Sequence, residues 1–454
     1  MKLWGGRFKK PTAPELEALG ISIDFDRRLA FDDVRINRAY ARELSAVGVL
    51  SEAELETIIQ GLDQVEARLK ENPVLDDEDI HTAVERLLAE FIDPDIAGKL
   101  PTGRSRNDLA VTELRLYLAR AVDERIAEVK KLQESLLTQA RANQDALLPG
   151  YTHLRRGQPV VFAQYLLAYF WALDRDRERL AQARERSLGL ALGAGALAGN
   201  PFGVDRRRLA DELGFERVLP NSIDAISSRD YILEFLSAGA ILGTHLSRMA
   251  EDLILWSGAE YGFVTIDESY ATGSSLMPQK RNPDSLELIR GKSGRLTGNL
   301  MTLLTVVKGL ATGYQRDLQE DKEPAFDTLD TLGLVLPVME GVIRTLTVNR
   351  EGMEHALSPD LLATDLAEYL VRRGIPFRKA HGIVGEVLAL AAEKGVSPGE
   401  LALDELRRFS PQFEDDVSGV WDYRASVARR DTEGGVSPRA VEEQLAKAEK
   451  RLDD

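Results

Sequence analysis

The sequence predicts a mostly α protein organised around a central bundle of long helices, and three observations carry that prediction. Proline is absent between Pro101 and Pro149, between Pro220 and Pro278, and between Pro283 and Pro324. Each window has room for a helix well beyond the ~11-residue average. Within them apolar residues step by three and four. Ile232, Phe235, Gly239, Leu242, Leu246, Met249, Leu253 and Trp256 form one such seam, the pattern of a helix packed along its length against others. Runs that alternate β-branched and polar residues are nearly missing, which leaves little material for a sheet.

Taken in chain order, residues 1–104 read as a smaller N-terminal domain, 105–358 as the central bundle, and 359–454 as a C-terminal helical domain. The first long helix carries Val122, Ile126, Val129, Leu132 and Leu136 as a stripe, with charges opposite. Between 191 and 203 the run "ALGAGALAGNPFG" is too rich in glycine and alanine for a stable surface helix and reads as a turn or closely packed connection. Gly239 on its seam costs roughly 1 kcal/mol against alanine, so a close helix approach is expected there. A later helix repeats the stepping through Leu296, Leu300, Leu303, Val307 and Leu310. Long seams of this kind are commonly buried against partner subunits, so a homo-oligomer is expected. No period of 20–50 residues marks a solenoid.

Composition narrows the function. Lysine plus arginine total 58 against 74 acidic residues, a formal charge of -16, which argues against bulk attraction to nucleic acid or an anionic membrane. An anionic substrate would therefore need a locally basic site. There is no cysteine, which excludes disulfides and thiolate chemistry, and the five histidines show no metal-ligand spacing, so no metal site is expected. The start "MKLWGGRFKK" lacks the apolar core of a signal peptide, and no stretch approaches ~18 uninterrupted apolar residues. A cytoplasmic protein is expected.

The stretches that resist the helical pattern hold the chemistry. "LPTGRSRND" (100–108) crowds Thr102, Ser105, Arg106, Asn107 and Asp108 at the opening of the first long helix. Free N–H groups and the dipole there suit an anion, although a helix cap with surface arginines reads equally well. "LPGYTHLRRGQP" (148–159) carries Thr152, His153 and Gln158, and a lone histidine is commonly structural. "NSIDAISSRDY" (221–231) contains Arg229 within what is most simply a capped helix start. "YQRDLQEDKEP" (314–324) mixes Tyr314, Gln319 and Lys322 with acidic residues and could be a solvated face. "SIDFD" (22–26) and "EDIHTAVE" (78–85) could be ordinary turns or caps.

"TGSSLMPQKRNPD" (272–284) stands apart. It matches neither a P-loop nor a GxSxG elbow. It offers Ser274 and Ser275 on a glycine-hinged segment, then Lys280 and Asn282, with Glu287 at the start of the next helix. Cationic and N–H neighbours can stabilise a serine alkoxide. Lys280 and Asn282 can neutralise charge building on a carboxylate as a carbon acid loses its proton. A loop of this composition suits a lid that closes over substrate, with a plain surface loop as the alternative.

Together these segments resemble a known family. "GSSLMPQKRNP" is similar to the signature loop of the fumarase/aspartase superfamily, and Gln279 within it resembles the argininosuccinate lyases. So do "MKLWGGRF", "TGRSRND", "GYTHL", "GALAGNPFGVDR", "YQRDLQEDKEP", "LLATDLAEYLVRRGIPFRKAH" and "GGVSPRAV", which run in order from residue 1 to about 440. The resemblance implies a fumarase/aspartase-like fold, a homotetramer with active sites shared between subunits, and cofactor-free cleavage of argininosuccinate to arginine and fumarate. It implies Ser274 as general base, and Lys280 and Asn282 as stabilisers of the aci-carboxylate. His153, paired with Glu287, would serve or orient the acid that protonates the leaving guanidino nitrogen. It further implies that Thr152, Ser105, Arg106 and Asn107 hold the succinyl carboxylates. Ser22, Asp26, Arg229, Tyr314, Gln319 and Lys322 would bind the two ends of the substrate, with His81 nearby.

The chain departs from the family pattern at Pro101, Leu109, Arg281 and Ala311-Thr312-Gly313, where histidine, glutamine, lysine and Pro-Leu-Ala are more usual. Two other readings stay open on sequence. One is another fumarate-releasing lyase, adenylosuccinate lyase first. The other is a non-enzymatic structural protein of the delta-crystallin kind.

Overall fold

The structure is a computed structural model that describes residues 10–453, so the "MKLWGGRF" motif lies outside the described residues. The chain divides into two compact units, each drawn from three stretches. One comprises Met1–Ile126, Glu178–Ile241 and Arg295–Leu332, and the other Ala127–Arg177, Leu242–Gly294 and Gly333–Asp454. The division falls within each of the long helices, so neither unit is a contiguous segment of sequence.

In the first unit, helix α1 (Ala30–Ala46) packs with α2 (Glu52–Lys70) and α3 (Ile80–Phe91). Ser51 starts α2 with a reciprocal cap: its Oγ accepts from the Glu54 N–H at 3.3 Å, while Glu54 Oε2 accepts from the Ser51 N–H at 2.9 Å. Such a pair satisfies two otherwise unpaired donors at a helix start. Asp79 caps α3 by accepting from the Thr82 N–H at 2.8 Å. Helix α4 (Arg106–Ala142) is the 37-residue helix expected from the first proline-free window. Val122, Val129, Leu132 and Leu136 of its stripe are buried.

An antiparallel hairpin follows, β1 (Leu147–Thr152) with β2 (Arg155–Val161), placed over the proline-flanked "GYTHL" stretch. Then come α5 (Phe162–Ser187), α6 (Asp230–Ser257), α7 (Asp284–Val307) and α8 (Lys322–Thr345). The α6 seam predicted from sequence is buried at Ile232, Phe235, Leu242, Leu246, Met249, Leu253 and Trp256. Gly239 on it faces α8 so closely that a Cβ would lie 2.9 Å from Thr328 Cγ2, the close approach that offsets glycine's helix cost.

Helix α7 differs from its expectation. Leu296 and Leu303 are buried, but Leu300, Val307 and Leu310 are only partly so. Leu288, Met301 and Leu304 on the same helix are exposed, and Gly291, Gly294 and Gly298 face open space. One face of this helix packs within the chain while another is left bare. At the C-terminal end, α9 (Ala363–Arg372) and α10 (Phe377–Lys394) bury Leu366, Leu370, Val384 and Val387 with Leu406 and Phe413 in a core of their own.

The glycine-alanine stretch is a turn, as the sequence suggested, buried over residues 191–195 and open to solvent beyond them. Its role is to receive Asp108, which is completely buried and accepts the N–H groups of Gly193 at 2.9 Å and Gly195 at 2.8 Å. Both glycines have positive φ, 87° and 62°, a backbone state that L side chains reach only at a cost. The turn thus makes a small nest of donors for one carboxylate.

Candidate active site

The first unit gathers most of the residues that the sequence nominated for substrate binding. Ser22 Oγ donates to Asp26 Oδ2 at 2.6 Å, one turn along the short helix Ile23–Asp26. The other Asp26 oxygen accepts the Ile80 N–H at 3.1 Å, so this carboxylate lies at the N-terminus of α3, where the dipole favours it. Burial still pushes Asp26 above the usual carboxylate range, with the Ser22 hydrogen bond and the His81 charge opposing. Its neighbour Asp79 goes the other way. Burial would raise it, but His81 and Arg106 together hold it below the ordinary value.

Arg106 connects this group to the start of α4. Its Nη1 donates to Asp79 Oδ2 at 2.9 Å and its Nη2 to Thr82 Oγ1 at 2.8 Å. Beside it, the Ser105 N–H donates to Asp108 Oδ1 at 3.0 Å, and Ser105 Oγ accepts from the Asn107 N–H at 3.2 Å. Asn107 Nδ2 reaches the Ala196 carbonyl at 3.1 Å. Much of the hydrogen-bonding capacity of "GRSRND" therefore serves to anchor the loop.

A second cluster in the same unit surrounds Asp321. Arg229 and Lys322 are both buried and both bonded to that one carboxylate, Lys322 Nζ at 3.1 Å and Arg229 through its Nε. Arg229 also donates to the carbonyls of Ile226 and Ser228, each at 3.1 Å, and lies 6.0 Å from the Tyr314 ring centroid. Two buried cations on one anion leave a positive charge uncompensated, which suits a carboxylate ligand. Gln319 Nε2 reaches the Gly20 carbonyl at 3.5 Å, and Arg316 bridges the same carbonyl at 2.8 Å and Glu78 at 3.0 Å. These contacts tie the two clusters together.

The second unit holds the other candidates. The 272–284 loop is closed at its base by a short ladder pairing Thr272 with Asn282 and Gly273 with Arg281. Thr272 Oγ1 is hydrogen-bonded to Asp284, and Ser285 Oγ donates to the Tyr270 carbonyl at 2.6 Å. Ser274 is half-buried, and its Oγ accepts the N–H groups of Met277 at 3.0 Å and Leu276 at 3.3 Å. Donors aimed at a hydroxyl oxygen favour its anionic form. Asn282 is half-buried, while Lys280 and Glu287 are exposed.

Thr152 and His153 stand exposed at the tip of the β1–β2 hairpin. His153 and Leu154 form its two-residue turn, with φ of 54° and 57°. Positive φ at both central positions is the mark of a type I′ turn, normally built from asparagine and glycine. The family resemblance had His153 paired with Glu287. Among the described residues no hydrogen bond or ion pair joins them, because the turn fixes His153 at an exposed tip and Glu287 is itself exposed on the first turn of α7.

The sequence matches a lyase family model over residues 6–298 and an argininosuccinate lyase C-terminal model over 360–428. It is 52% identical over 450 residues to the argininosuccinate lyase of Herpetosiphon aurantiacus, covering 98% of this chain and 99% of that one. The chain belongs to the argininosuccinate lyase family. A crystal structure of EDDS lyase in complex with formate superposes with a TM-score of 0.86 at 31% identity, over 98% of this chain and 91% of that one. A class II fumarase from Schistosoma mansoni gives a TM-score of 0.74 at 16% identity, over 87% and 91% of the two chains, which shows the shared fold alone. The fumarase/aspartase-like, mostly α architecture expected from sequence is the one observed.

Three acidic residues of this argininosuccinate lyase homologue were not singled out in advance. Asp79 could have been, since an aspartate just ahead of an apolar helical run is a preferred N-cap. Asp33 and Glu113 flank His81 from distant points of the chain, and no local signal marks them. Among the described residues the Asp33, His81 and Glu113 group is the one whose polar atoms converge closely enough for a cation, all lying within 4.8 Å of one another.

Proposed function

We propose that these residues carry out β-elimination of argininosuccinate to arginine and fumarate, the reaction of the family to which the chain belongs. The buried cations and carboxylates of the first unit bind the ends of the substrate. Arg106, Ser105, Asn107 and Thr152 take the succinyl carboxylates. Arg229, Lys322, Tyr314, Gln319, Ser22 and Asp26 take the two ends, the carboxylates facing the cations and the amino or guanidinium group facing Asp26. Ser274 removes a proton from the carbon beside a succinyl carboxylate. Lys280 and Asn282 stabilise the resulting aci-carboxylate. The electron pair then expels the guanidino nitrogen, which takes up a proton delivered with the help of His153, and fumarate remains.

The observation that carries this reading is the state of Ser274. Two backbone N–H groups already converge on its Oγ, on a loop that also presents Lys280 and Asn282. Serine is a poor base in water, and prepositioned donors are what its alkoxide requires.

The same reading includes a homotetramer with shared sites. It is supported by the bare apolar face of α7 and by an exposed His153 whose own chain gives it no partner at Glu287. Glu287 of another copy then completes the pair. A cytoplasmic location fits the cysteine-free composition and the metabolic reaction; among the described residues no helix is long and apolar enough to cross a membrane.

The direct test follows the ultraviolet absorbance of fumarate when purified protein meets argininosuccinate, with arginine formed in equal amount. Absence of signal at millimolar substrate, or a signal with adenylosuccinate alone, would overturn the assignment.

A further inference from the structure

His81 is almost fully buried, and its Nδ1 faces two carboxylates at once. The nitrogen is hydrogen-bonded to Asp33 Oδ2 at 2.9 Å, and Glu113 Oε1 lies 3.0 Å from the same atom. Asp33 is well satisfied, since its other oxygen accepts from Asn37 Nδ2, which Arg104 in turn holds through Asn37 Oδ1 at 2.6 Å. Glu113 is not. It is completely buried, and neither of its oxygens has a hydrogen-bond partner. A buried carboxyl group in that condition is costly unless its charge is removed or balanced.

A metal ion is the first occupant to consider. Two ligands each ~2.0–2.2 Å from a tetrahedral zinc would stand roughly 3.3–3.6 Å apart, whereas His81 Nδ1 stands only 2.9 Å from Asp33 Oδ2 and 3.0 Å from Glu113 Oε1. A shared proton explains the group with the atoms already present.

We propose that Asp33 and Glu113 are positioning residues for the candidate site, acting through His81: they turn its Nδ1 inward and hold the ring as a cation against Asp26 and Asp79. The proposal rests on the reading that Asp26, Asp79 and Arg106 line the substrate site. Burial works against a charged His81, but Glu113 and Asp33 outweigh it and keep the ring protonated well above its ordinary range. Burial pushes Glu113 upward, the His81 charge opposes and Asp33 adds to the rise.

The outward effect falls on the binding carboxylates. The His81 charge favours ionised Asp26 and ionised Asp79. The other charged groups around this network are Glu85, Arg104 and Arg106, with Lys322 acting on Asp26. His81 lies in the first turn of α3, two residues after its cap Asp79 and one after Ile80, whose N–H binds Asp26. A neutral His81 would let Asp26 take up a proton and release its grip on the cationic end of the substrate.

The test has two arms. In the first, protein carrying isotope-labelled histidine is titrated by NMR, with the His81 signal assigned by its loss in His81→Asn. His81 should remain an imidazolium well above the ordinary histidine range, and Asp33→Asn should lower its midpoint by about one pH unit or more. In the second, Asp33→Asn and Glu113→Gln should raise KM for argininosuccinate about tenfold with kcat within about threefold. The alkaline limb of kcat/KM should move about one unit toward acid, and Glu113→Asp should restore most of it.

A His81 that titrates near its ordinary value overturns the proposal. So do variants that lose thermal stability while keeping the parent's pH profile, and so does a divalent metal recovered at one equivalent per chain. The NMR arm needs no turnover. A protein that leaves argininosuccinate untouched while His81 stays charged refutes the substrate assignment and leaves the charge relationship standing.

Discussion

Arg106 donates to Asp79 at 2.9 Å, so the residue that opens α4 is bonded to the residue that caps α3. The carboxylate has two duties, one structural and one electrostatic, and a single atom change separates them. Asp79→Asn keeps a good capping residue but removes the charge that orients Arg106. Thermal stability should change by less than about 1 kcal/mol, while KM for argininosuccinate should rise about tenfold. Steady-state kinetics beside a melting curve would check this, and a large stability loss with unchanged KM would refute it.

Ser274→Ala removes the proposed base together with the acceptor of the Leu276 and Met277 N–H groups, and leaves the ladder at the loop's base in place. The side chain makes no contact on which the loop's base ladder depends, since the pairing runs through Thr272, Gly273, Arg281 and Asn282. Turnover should fall by about 10²–10⁴ with the parent's elution volume kept on size-exclusion chromatography. Retained turnover would reassign the base.

Asp321 balances two buried cations, and neither Arg229 nor Lys322 can return to water without opening the site. Asp321→Asn should therefore destabilise by about 3–5 kcal/mol, the usual consequence of stripping one partner from a buried pair. Denaturant unfolding would measure it, and a change under about 1 kcal/mol would show that the cations find other partners.

Asp365 in the C-terminal part accepts from Ser426 at 2.9 Å, Arg429 at 2.8 Å and Arg430 at 3.0 Å. Burial would raise its pKa, but the hydrogen bonds from Arg430 and Arg429 prevail and depress it. A depressed carboxylate contributes stability that is complete above its unfolded value of ~3.9 and is lost as pH falls through the folded one. Asp365→Asn should flatten the acid limb of stability below about pH 4 and lower the plateau at neutral pH. An unchanged acid limb would count against the pairing.

The open face of α7 should be the first to break the assembly. Met301 and Leu304 are 56% and 41% exposed in the single chain. Leu304→Lys should shift the proposed homotetramer toward smaller species by sedimentation, with activity falling in parallel because that proposal has the sites shared. An unchanged sedimentation profile would place the interface elsewhere.

What could be read in advance followed from locality. The α6 seam was legible because burial on a helix repeats every three to four residues, and Gly239 announced its close contact by its cost. The 272–284 loop stood out because its composition fits no regular element. By contrast, the His153–Leu154 turn was hidden: neither residue is one that prefers positive φ. The His81 group was hidden for another reason. Asp33 lies 48 residues before His81, and Glu113 belongs to a different helix again. Partners of that kind are set by packing, and no short pattern encodes them.

Asp108 carries a consequence for how the chain is made. Its carboxylate is satisfied by N–H groups that lie 85 and 87 residues further on. On a ribosome adding ~5–20 residues per second, those donors arrive on the order of 4–17 s after Asp108 itself. Until then only Oδ1 of this acid has its donor, the nearby Ser105 N–H, and Oδ2 waits for the two glycines. That segment cannot dock while it is being synthesised, and its final seating must wait for the glycine turn to emerge.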